Sequence, residues 1–513
     1  MSVWCLVASW TAMPVQAEDL IYLEHSNTLE FDEARLPDAQ ILRGDVLFRH
    51  DSMWLYCDSA YFYDKRNSLD AFGHVRIVQG DTLFGYGDKL FYNGNTKLAR
   101  FRKHVKLIHR STILTTDSMN YDRKRDVAYY LWGGKIVDSL NTLTSVRGHY
   151  YPPTKQSIFR RNVHLKNDRF TLEADTLKYN TESHIADIVG PTTIVYEEET
   201  TILSSNGTYN TQSEQSLLYD RSVVKHNDHK MMIGDTLFYD KQVGYGIGWS
   251  NVIASDTTNQ MTLYGNYCEM YEDPEHGFAT DSALLIDWSD SVDYVYMHAD
   301  TLFTETIDSA KHVRAHHNVR IYKTDMQAVC DSMRYDGKDS IVHLYTNPVC
   351  WSDSNQVAAD TVHIFLKNEE VDYMHGVGAG IMIQQITDEY FNQMSGKEIF
   401  AYVREGEIRE VEVKGNALTI YYPIDDNGKF VGLNTTESST INMYLVNQNV
   451  EHVLFKTETS GTIYPLDQVP EGADFLNAFF WAVEERPLVP GDVFLNPQRT
   501  PRVRQTTIKI QTQ

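Results

Sequence analysis

The chain has 513 residues, with 46 Lys and Arg against 70 Asp and Glu, so its formal net charge is 46 − 70 = −24. A chain this acidic is poorly suited to general binding of a nucleic-acid backbone, which requires a clustered basic surface. Apolar residues make up 42% of the chain and charged residues 23%, which excludes wholesale disorder, and 32 tyrosines against 14 prolines favour β-strands.

The chain opens with a short apolar segment that is typical of a secretory signal. No charged residue precedes Glu18, and Val15-Gln16-Ala17 has the small-residue pattern of a cleavage site. The positively charged start of such a signal is missing, so a mis-assigned start and a buried N-terminal strand are the alternatives. We predict a signal peptide over 1–17, and no later run reaches the ~18–20 apolar residues of a membrane-spanning helix.

Four cysteines would remain after removal of the signal, at Cys57, Cys268, Cys330 and Cys350. Their spacing matches no zinc-binding pattern. Cys330 and Cys350 lie in neighbouring repeats, so they could form a disulfide in an oxidising compartment or stay as buried thiols.

The main signal is an internal repeat with a period of about 28–34 residues, the range expected of solenoid-like arrays. A first phrase reads Asp, Ser or Thr, a medium apolar residue, any residue, Tyr, and Asp or Asn, as in 175–180. A second phrase reads Asn or His, Val, any residue, and Ile or Leu, as in 162–165. Copies of the first phrase begin at Asp58, Asp88, Asp117, Asp175, Asp235, Asp281, Asp300, Asp331 and Asp360.

Both phrases alternate with a period of two residues. Leu177 and Tyr179 share one face of their segment, as do Val163 and Leu165. Alternation bounded by Asn, Asp and Gly indicates half-buried β-strands joined by turns, and no window keeps the stripe of an amphipathic helix. We predict an all-β fold: an elongated, open, solenoid-like array of short antiparallel strands in two facing sheets, extending over 18–386.

The C-terminal part is predicted to continue in the same way. Segments within 387–470 alternate and supply further β-repeats. Within the remaining 471–513, a short helix is predicted over Ala473 to Glu485 as a capping segment, and a basic tail from Leu495 onward is predicted to be loose.

The repeated phrases, with Gly415-Asn416-Ala417 and Asn162-Val163 before the second strand, resemble the OstA/LptA family of periplasmic lipopolysaccharide-transport proteins. That family includes the N-terminal domain of the outer-membrane translocon LptD. The resemblance covers about residues 40–455 of a chain that is much longer than a single LptA. It implies a β-jellyroll, an open V-shaped pair of sheets whose apolar interior shields lipopolysaccharide acyl chains on the way to the outer membrane.

The inward positions of the two phrases are the predicted lipid-groove residues, although each could belong instead to a packed core. They are Leu90, Tyr92, Val105, Leu107, Met119, Tyr121, Val163, Leu165, Leu177, Tyr179, Leu237, Tyr239, Val319, Ile321, Met333 and Tyr335.

Three other features are predicted to be structural. One Asp per repeat forms a regular ladder that closes turns or bonds its own backbone two residues on, whereas glycoside hydrolysis would require one irregular pair of carboxylates. The glycine runs 244–248 and 376–380 lack a following helix, so they indicate bulges or close backbone approach. The histidine pairs 226/229 and 316/317 have no third metal ligand at a telling spacing. We predict no catalytic residue, metal or cofactor.

The favoured hypothesis is a periplasmic protein, either free or associated with the outer membrane, that binds and transports lipopolysaccharide or a related lipid and is not an enzyme. Its predicted partners are other Lpt-type jellyrolls or the translocon, joined by end-to-end strand addition near Ile21 to Phe31 or Leu445 to Phe455, and further copies of itself. A net charge of −24 repels anionic headgroups, so binding would depend on apolar burial. The alternatives are a secreted β-solenoid enzyme acting on polysaccharide and a ligand-free scaffold of the cell envelope.

Overall fold

Antiparallel β-strands form almost all of the chain that the structure, a computed structural model, describes. The described residues are 20–497, apart from 426 and 448, together with residue 499. The predicted signal peptide and most of the predicted basic tail lie outside them. Two compact units, Met1–Glu214 and Gln215–Gln513, are described separately below.

The strands of the first unit are β1 (Tyr22–His25), β2 (Thr28–Phe31), β3 (Gln40–His50), β4 (Met53–Tyr63), β5 (Ser68–Gln79), β6 (Leu83–Asn93), β7 (Leu98–His109), β8 (Thr112–Asp122), β9 (Val127–Tyr130), β10 (Gly134–Val137), β11 (Thr142–Ser145), β12 (Arg147–Tyr151), β13 (Gln156–Lys166), β14 (Phe170–Asn180), β15 (Ile185–Tyr196) and β16 (Thr200–Asn210).

The strands of the second unit are β17 (Gln215–His226), β18 (Lys230–Asp240), β19 (Tyr245–Asp256), β20 (Met261–Tyr271), β21 (His276–Thr280), β22 (Leu284–Asp287), β23 (Val295–His298), β24 (Thr301–Ile307), β25 (Ala310–Tyr322), β26 (Gln327–Asp336), β27 (Ile341–Tyr345), β28 (Val349–Ser352), β29 (Asn355–Ala358), β30 (Thr361–Lys367), β31 (Glu370–Gln385), β32 (Phe391–Arg404), β33 (Glu407–Tyr421), β34 (Leu433–Val446), β35 (Asn449–Lys456) and β36 (Ser460–Tyr464). Short 3-10 turns occupy Asp64–Arg66, Leu466–Gln468, Val483–Glu485 and Pro490–Phe494.

Most long strands bend once, near the middle, at a bulge that we call the bend. In β13 the pairing with β14 breaks between Arg160 and Val163 and then resumes. The two residues between them, Arg161 and Asn162, have φ of 66° and 51°. Asn and His tolerate this left-handed region better than most residues. The Asn or His of the second phrase is therefore a bend residue, and His104 repeats it with φ of 46°.

The recurring Asp of the first phrase lies at the bend and bonds to the neighbouring strand. Asp58 Oδ2 is 2.7 Å from His74 Nδ1, and Asn251 Nδ2 donates to Asp235 Oδ2 at 2.6 Å. The expectation that this Asp closes a turn is wrong, because the chain turns at the strand ends, several residues away. The ladder of carboxylates belongs to the bends.

The bends divide the strands into two arms that face each other. In β14 we call Thr176–Asn180 part of arm A and Phe170–Ala174 part of arm B, and neighbouring strands continue each arm. An extended nine-residue span would separate the strand ends by about 30 Å. Yet the ring of Phe170 in arm B lies 5.1 Å from the ring of Tyr209. Tyr209 is in arm A, in register with Tyr179 but two strands further along the sheet. The all-β, antiparallel prediction is confirmed, although each repeat supplies two long bent strands in place of short ones.

The second unit has the same two arms. Lys230, at an arm B end, lies 3.0 Å from Glu275, which follows the arm A end of β20. The contact can form only if the arms fold onto one another.

The predicted bulge is confirmed in the second glycine run, whereas in the first run the atoms that crowd Gly248 belong to side chains and not to backbone. A Cβ at Gly248 would lie 2.7 Å from Val252 Cγ1, so only glycine fits there. Gly378 has φ of +76° and lies at the bend of β31.

Residues 465–495, which we call the strap, contain no α-helix, so the helix predicted over 473–485 is wrong. The strap runs over the face of arm B that points away from arm A in the second unit. Gln356 donates to the Phe480 carbonyl at 2.8 Å and accepts from the Ala482 N–H at 2.9 Å. Gln393 makes the same pair of bonds to Asp474 and Leu476. These amides replace the partners that a helix would find within itself.

All four described cysteines are free and buried. Burial raises the pKa of the Cys57 and Cys268 thiols to about 12, so both stay protonated at neutral pH. Burial also raises the pKa of the Cys330 thiol.

Candidate functional site

The residues predicted to face inward lie between the two arms. Fifteen of the sixteen are buried, with at most 8% of their surface exposed, and Tyr335 is half-buried. Leu177 and Leu237 are 0% exposed. Whether these residues contact a lipid remains a prediction, because a packed core and a closed groove bury them equally.

The interior is closed by direct packing of one arm on the other. Phe101 and Phe159, for example, are at most 1% exposed. Side chains this buried leave little room for a further molecule between them. An acyl chain could therefore occupy this interior only if the arms moved apart.

The ends of the two arms meet along a line that we call the mouth, and polar side chains close it. In the first unit Tyr179, near the end of arm A, donates its hydroxyl to Asp138 Oδ2 at 2.6 Å and accepts from Asn141 Nδ2 at 2.7 Å. Asp138 and Asn141 flank the turn between β10 and β11 in arm B, and all three residues are buried.

A second polar cluster closes the mouth near β3. The Tyr92 hydroxyl lies 2.5 Å from His50 Nδ1 and accepts from Arg123 at 2.7 Å. Lys97 lies 2.8 Å from Asp51. The strand turns of arm A are thus tied to those of arm B by a hydrogen-bonded network and an ion pair.

A third cluster lies near β16, where Glu214 of arm A accepts from the Tyr196 hydroxyl at 2.7 Å and pairs with Arg169 at 2.7 Å. In the second unit the same role falls to ion pairs, such as Lys311 with Asp287.

The tyrosines of the mouth are held in their neutral, donating form. Burial, followed by the Asp138 charge, raises the pKa of Tyr179 well above its usual range, and burial also raises the pKa of Tyr92. Because the contacts across the mouth described above involve side chains, parting the arms there breaks no backbone bond directly. The strand ends beside the mouth would lose that support and open more readily, while the rest of each ladder would stay paired.

These mouth partners were not found in the sequence, although a regular spacing marks them. The residue that meets the tyrosine precedes it by 42 positions for His50 and Tyr92, 41 for His109 and Tyr150, and 41 for Asp138 and Tyr179. A search for polar residues about one and a half repeats before each tyrosine would have identified them.

The histidine pairs take separate roles. His226 lies 3.6 Å from Glu272 at the mouth, and His229 contacts Thr257. His317 lies 3.3 Å from Asp331 at a bend, while the His316 ring packs on Phe303. Among the described residues, no group of three or more His, Cys, Asp or Glu side chains is placed to hold a metal ion. In that same part of the chain, no helix has the length and apolar character to cross a bilayer.

Comparison with known proteins gave a family match and likenesses to solved structures. Residues 18–175 match the family described as OstA-like protein. One such match is LptH from Pseudomonas aeruginosa, described as the LptA-homologous periplasmic component of the conserved lipopolysaccharide transport device. It is 18% identical to this chain, and the match covers 28% of this chain and 99% of that one. Its TM-score of 0.22 is too low to support an argument. No curated protein matched the chain.

Proposed function

From the OstA-like character of residues 18–175, we propose that this protein binds lipopolysaccharide or a related acylated lipid between its arms and shields the acyl chains during delivery to the outer membrane. The observation that carries the proposal is the apolar interior, which is bordered at the mouth by side-chain contacts such as Tyr179 with Asp138.

The energetics allow the exchange. Hiding one methylene group from water contributes about 0.8 kcal/mol, so a chain of about twelve carbons could contribute roughly 9 kcal/mol. The mouth contacts that must break are hydrogen bonds worth about 0.5–1.5 kcal/mol each and ion pairs worth less when exposed. The freed polar groups would meet water and the lipid headgroup, while the interior would stay covered by the acyl chain.

The proposed location is the periplasm, and the proposed partners are other jellyrolls of this type. At the N-terminal edge, β1 and β2 pair with β3, and no other strand among the described residues pairs with them. Leu29 and Phe31 of β2 are 55% and 60% exposed. Such an edge can accept a strand from another protein. A proline at Leu29 removes a backbone donor and should weaken crosslinking to a partner at this end only.

Mass spectrometry of a lipid extract from the protein purified from a Gram-negative host tests the binding. We expect acylated glycolipid in the extract from wild type and much less from Leu177→Asp, which places a charge between the arms. Lys178→Asp, one residue away on the outer face, is the matched control and should retain the lipid. An extract with no acylated lipid, from protein that also takes up no fluorescent fatty acid, would contradict the proposal.

A ligand-free scaffold is the second candidate, because the close packing of the interior is what a scaffold requires. A scaffold would be indicated by an extract without acylated lipid, together with a cell-envelope defect in cells that lack this protein.

A further inference from the structure

The charge of the chain is very unevenly distributed. Residues 82–165 contain 15 Lys and Arg and 5 Asp, a balance of 15 − 5 = +10, within a chain of −24. The net charge of this segment is therefore opposite in sign to that of the rest of the molecule, and the total for the whole chain conceals this basic segment.

Many of these basic side chains gather at the bend of the first unit. Lys89 pairs in register with Arg102, and Arg147 with Arg160, on the outer side of arm A next to the bend. Lys103 and Arg161 are bend residues themselves. Of these six, Arg102 is half-buried and the others are exposed, and none has a carboxylate partner among the described residues. We call this set, with Leu131 and Trp132, the basic bend.

The most exposed of the tryptophans that the structure describes lies in the middle of the basic bend. Trp132 is 84% exposed and its neighbour Leu131 is 40% exposed, between β9 and β10. The adjacent Gly133 N–H donates to the Val146 carbonyl, and the Val146 N–H donates to the Arg161 carbonyl. These bonds hold the backbone next to Trp132 beside the backbone of Val146 and Arg161, and the Trp132 side chain lies open to solvent.

A shallow depression lies next to this tryptophan on arm B. It has a volume of about 560 Å³ and is lined by Lys106, Lys135, Thr115 and Thr116, with Asp117 as its carboxylate. The ammonium groups of Lys106 and Lys135 suit a phosphate group, whereas the Thr115 and Thr116 hydroxyls already donate to the Lys135 and Gly133 carbonyls.

We propose that the basic bend docks the first unit onto an anionic membrane surface, with phospholipid phosphates on the Lys and Arg side chains and Trp132 at the headgroup level. Indole rings favour that level, and basic side chains near it bind anionic lipid. Charge alone would also suit an acidic protein surface, but a lone exposed indole with an adjoining leucine favours a bilayer interface. The docking is independent of lipid carriage between the arms.

Co-sedimentation of the full chain with vesicles tests the proposal. We expect at least tenfold more protein bound to vesicles of 30% phosphatidylglycerol in phosphatidylcholine than to phosphatidylcholine alone, falling as salt is raised. Trp132→Ser should reduce binding several-fold, and Arg147→Glu with Arg161→Glu should abolish it. Val292→Ser, at an exposed apolar residue of the second unit, is the control and should bind like wild type.

Two results would overturn the proposal. One is equal binding to neutral and anionic vesicles, or binding that neither variant changes. The other is salt-sensitive self-association without vesicles that the double charge reversal removes, which would assign the basic bend to the acidic surface of a second copy. Both variants lie on the surface, and unaltered circular dichroism would show that they fold.

Discussion

Replacing Tyr179 by Phe removes one hydroxyl from the mouth and keeps the ring in place. The hydroxyl donates to Asp138 and accepts from Asn141, and both partners keep another bond, Asp138 to backbone N–H groups and Asn141 to Thr211. An unpaired buried polar group costs about 1–3 kcal/mol. Taking the lower value for each partner gives a loss of about 2 kcal/mol, or a roughly 30-fold increase in opening of the mouth.

Amide hydrogen exchange is the suitable assay, because long repeat arrays do not unfold in a single step. We expect faster exchange in β11 and β14, which carry the two sides of this contact, and unchanged exchange in β3. Tyr335→Phe is the control, since its ring is half-buried and its hydroxyl has no hydrogen bond among the described residues. Exchange in β11 that matches wild type would refute the reasoning that the mouth is held by these side chains.

Three further predictions concern packing, the strap and pH. Leu177→Asp should lower the free energy of unfolding by several kcal/mol, measured in urea, whereas Lys178→Asp should change it little. Gln356→Leu should make the strap more sensitive to limited proteolysis than the strands beneath it, and equal cleavage of both would contradict the role of its two bonds. Burial lowers the pKa of His343 and His363 below 6.5, so their contribution to stability is present above about pH 6.5 and is lost as the pH falls below it. Because burial also lowers the pKa of His109 and His149, the double Gln variant should weaken this pH dependence of thermal unfolding without abolishing it.

The alternation of the two phrases was enough to predict the strands and their inward faces, because a buried face selects one side of each strand. Leu177 and Val163 lie inside, as predicted. The bend was not predicted. Its only mark in the sequence is the recurring Asn or His, which tolerates left-handed backbone such as the φ of 51° at Asn162. The inward and outward residues alternate regularly on each side of the bulge. In the sequence, one bent strand therefore resembles two separate short strands.

The site was less predictable than the fold. The tie between Asp138 and Tyr179 joins residues 41 positions apart, and it depends on how closely the arms approach. A pattern within one strand or one repeat therefore cannot identify the two partners. The strap is similar: its backbone bonds are made to Gln356 and Gln393, which are more than 80 residues away, so local propensity carries no information about its conformation.

The bend within each strand has a consequence for how such a chain can change in length over evolution. Each long strand carries its own bulge and pairs with the strands beside it, so no single closing strand fixes their number. Losing one strand would reverse the direction of everything that follows and exchange the arms. Losing two, about thirty residues, restores direction, inward face and the position of each tyrosine relative to the mouth. Insertions and deletions should therefore be tolerated in steps of two strands. Each such step lengthens or shortens the apolar interior by a fixed amount, on which selection can act.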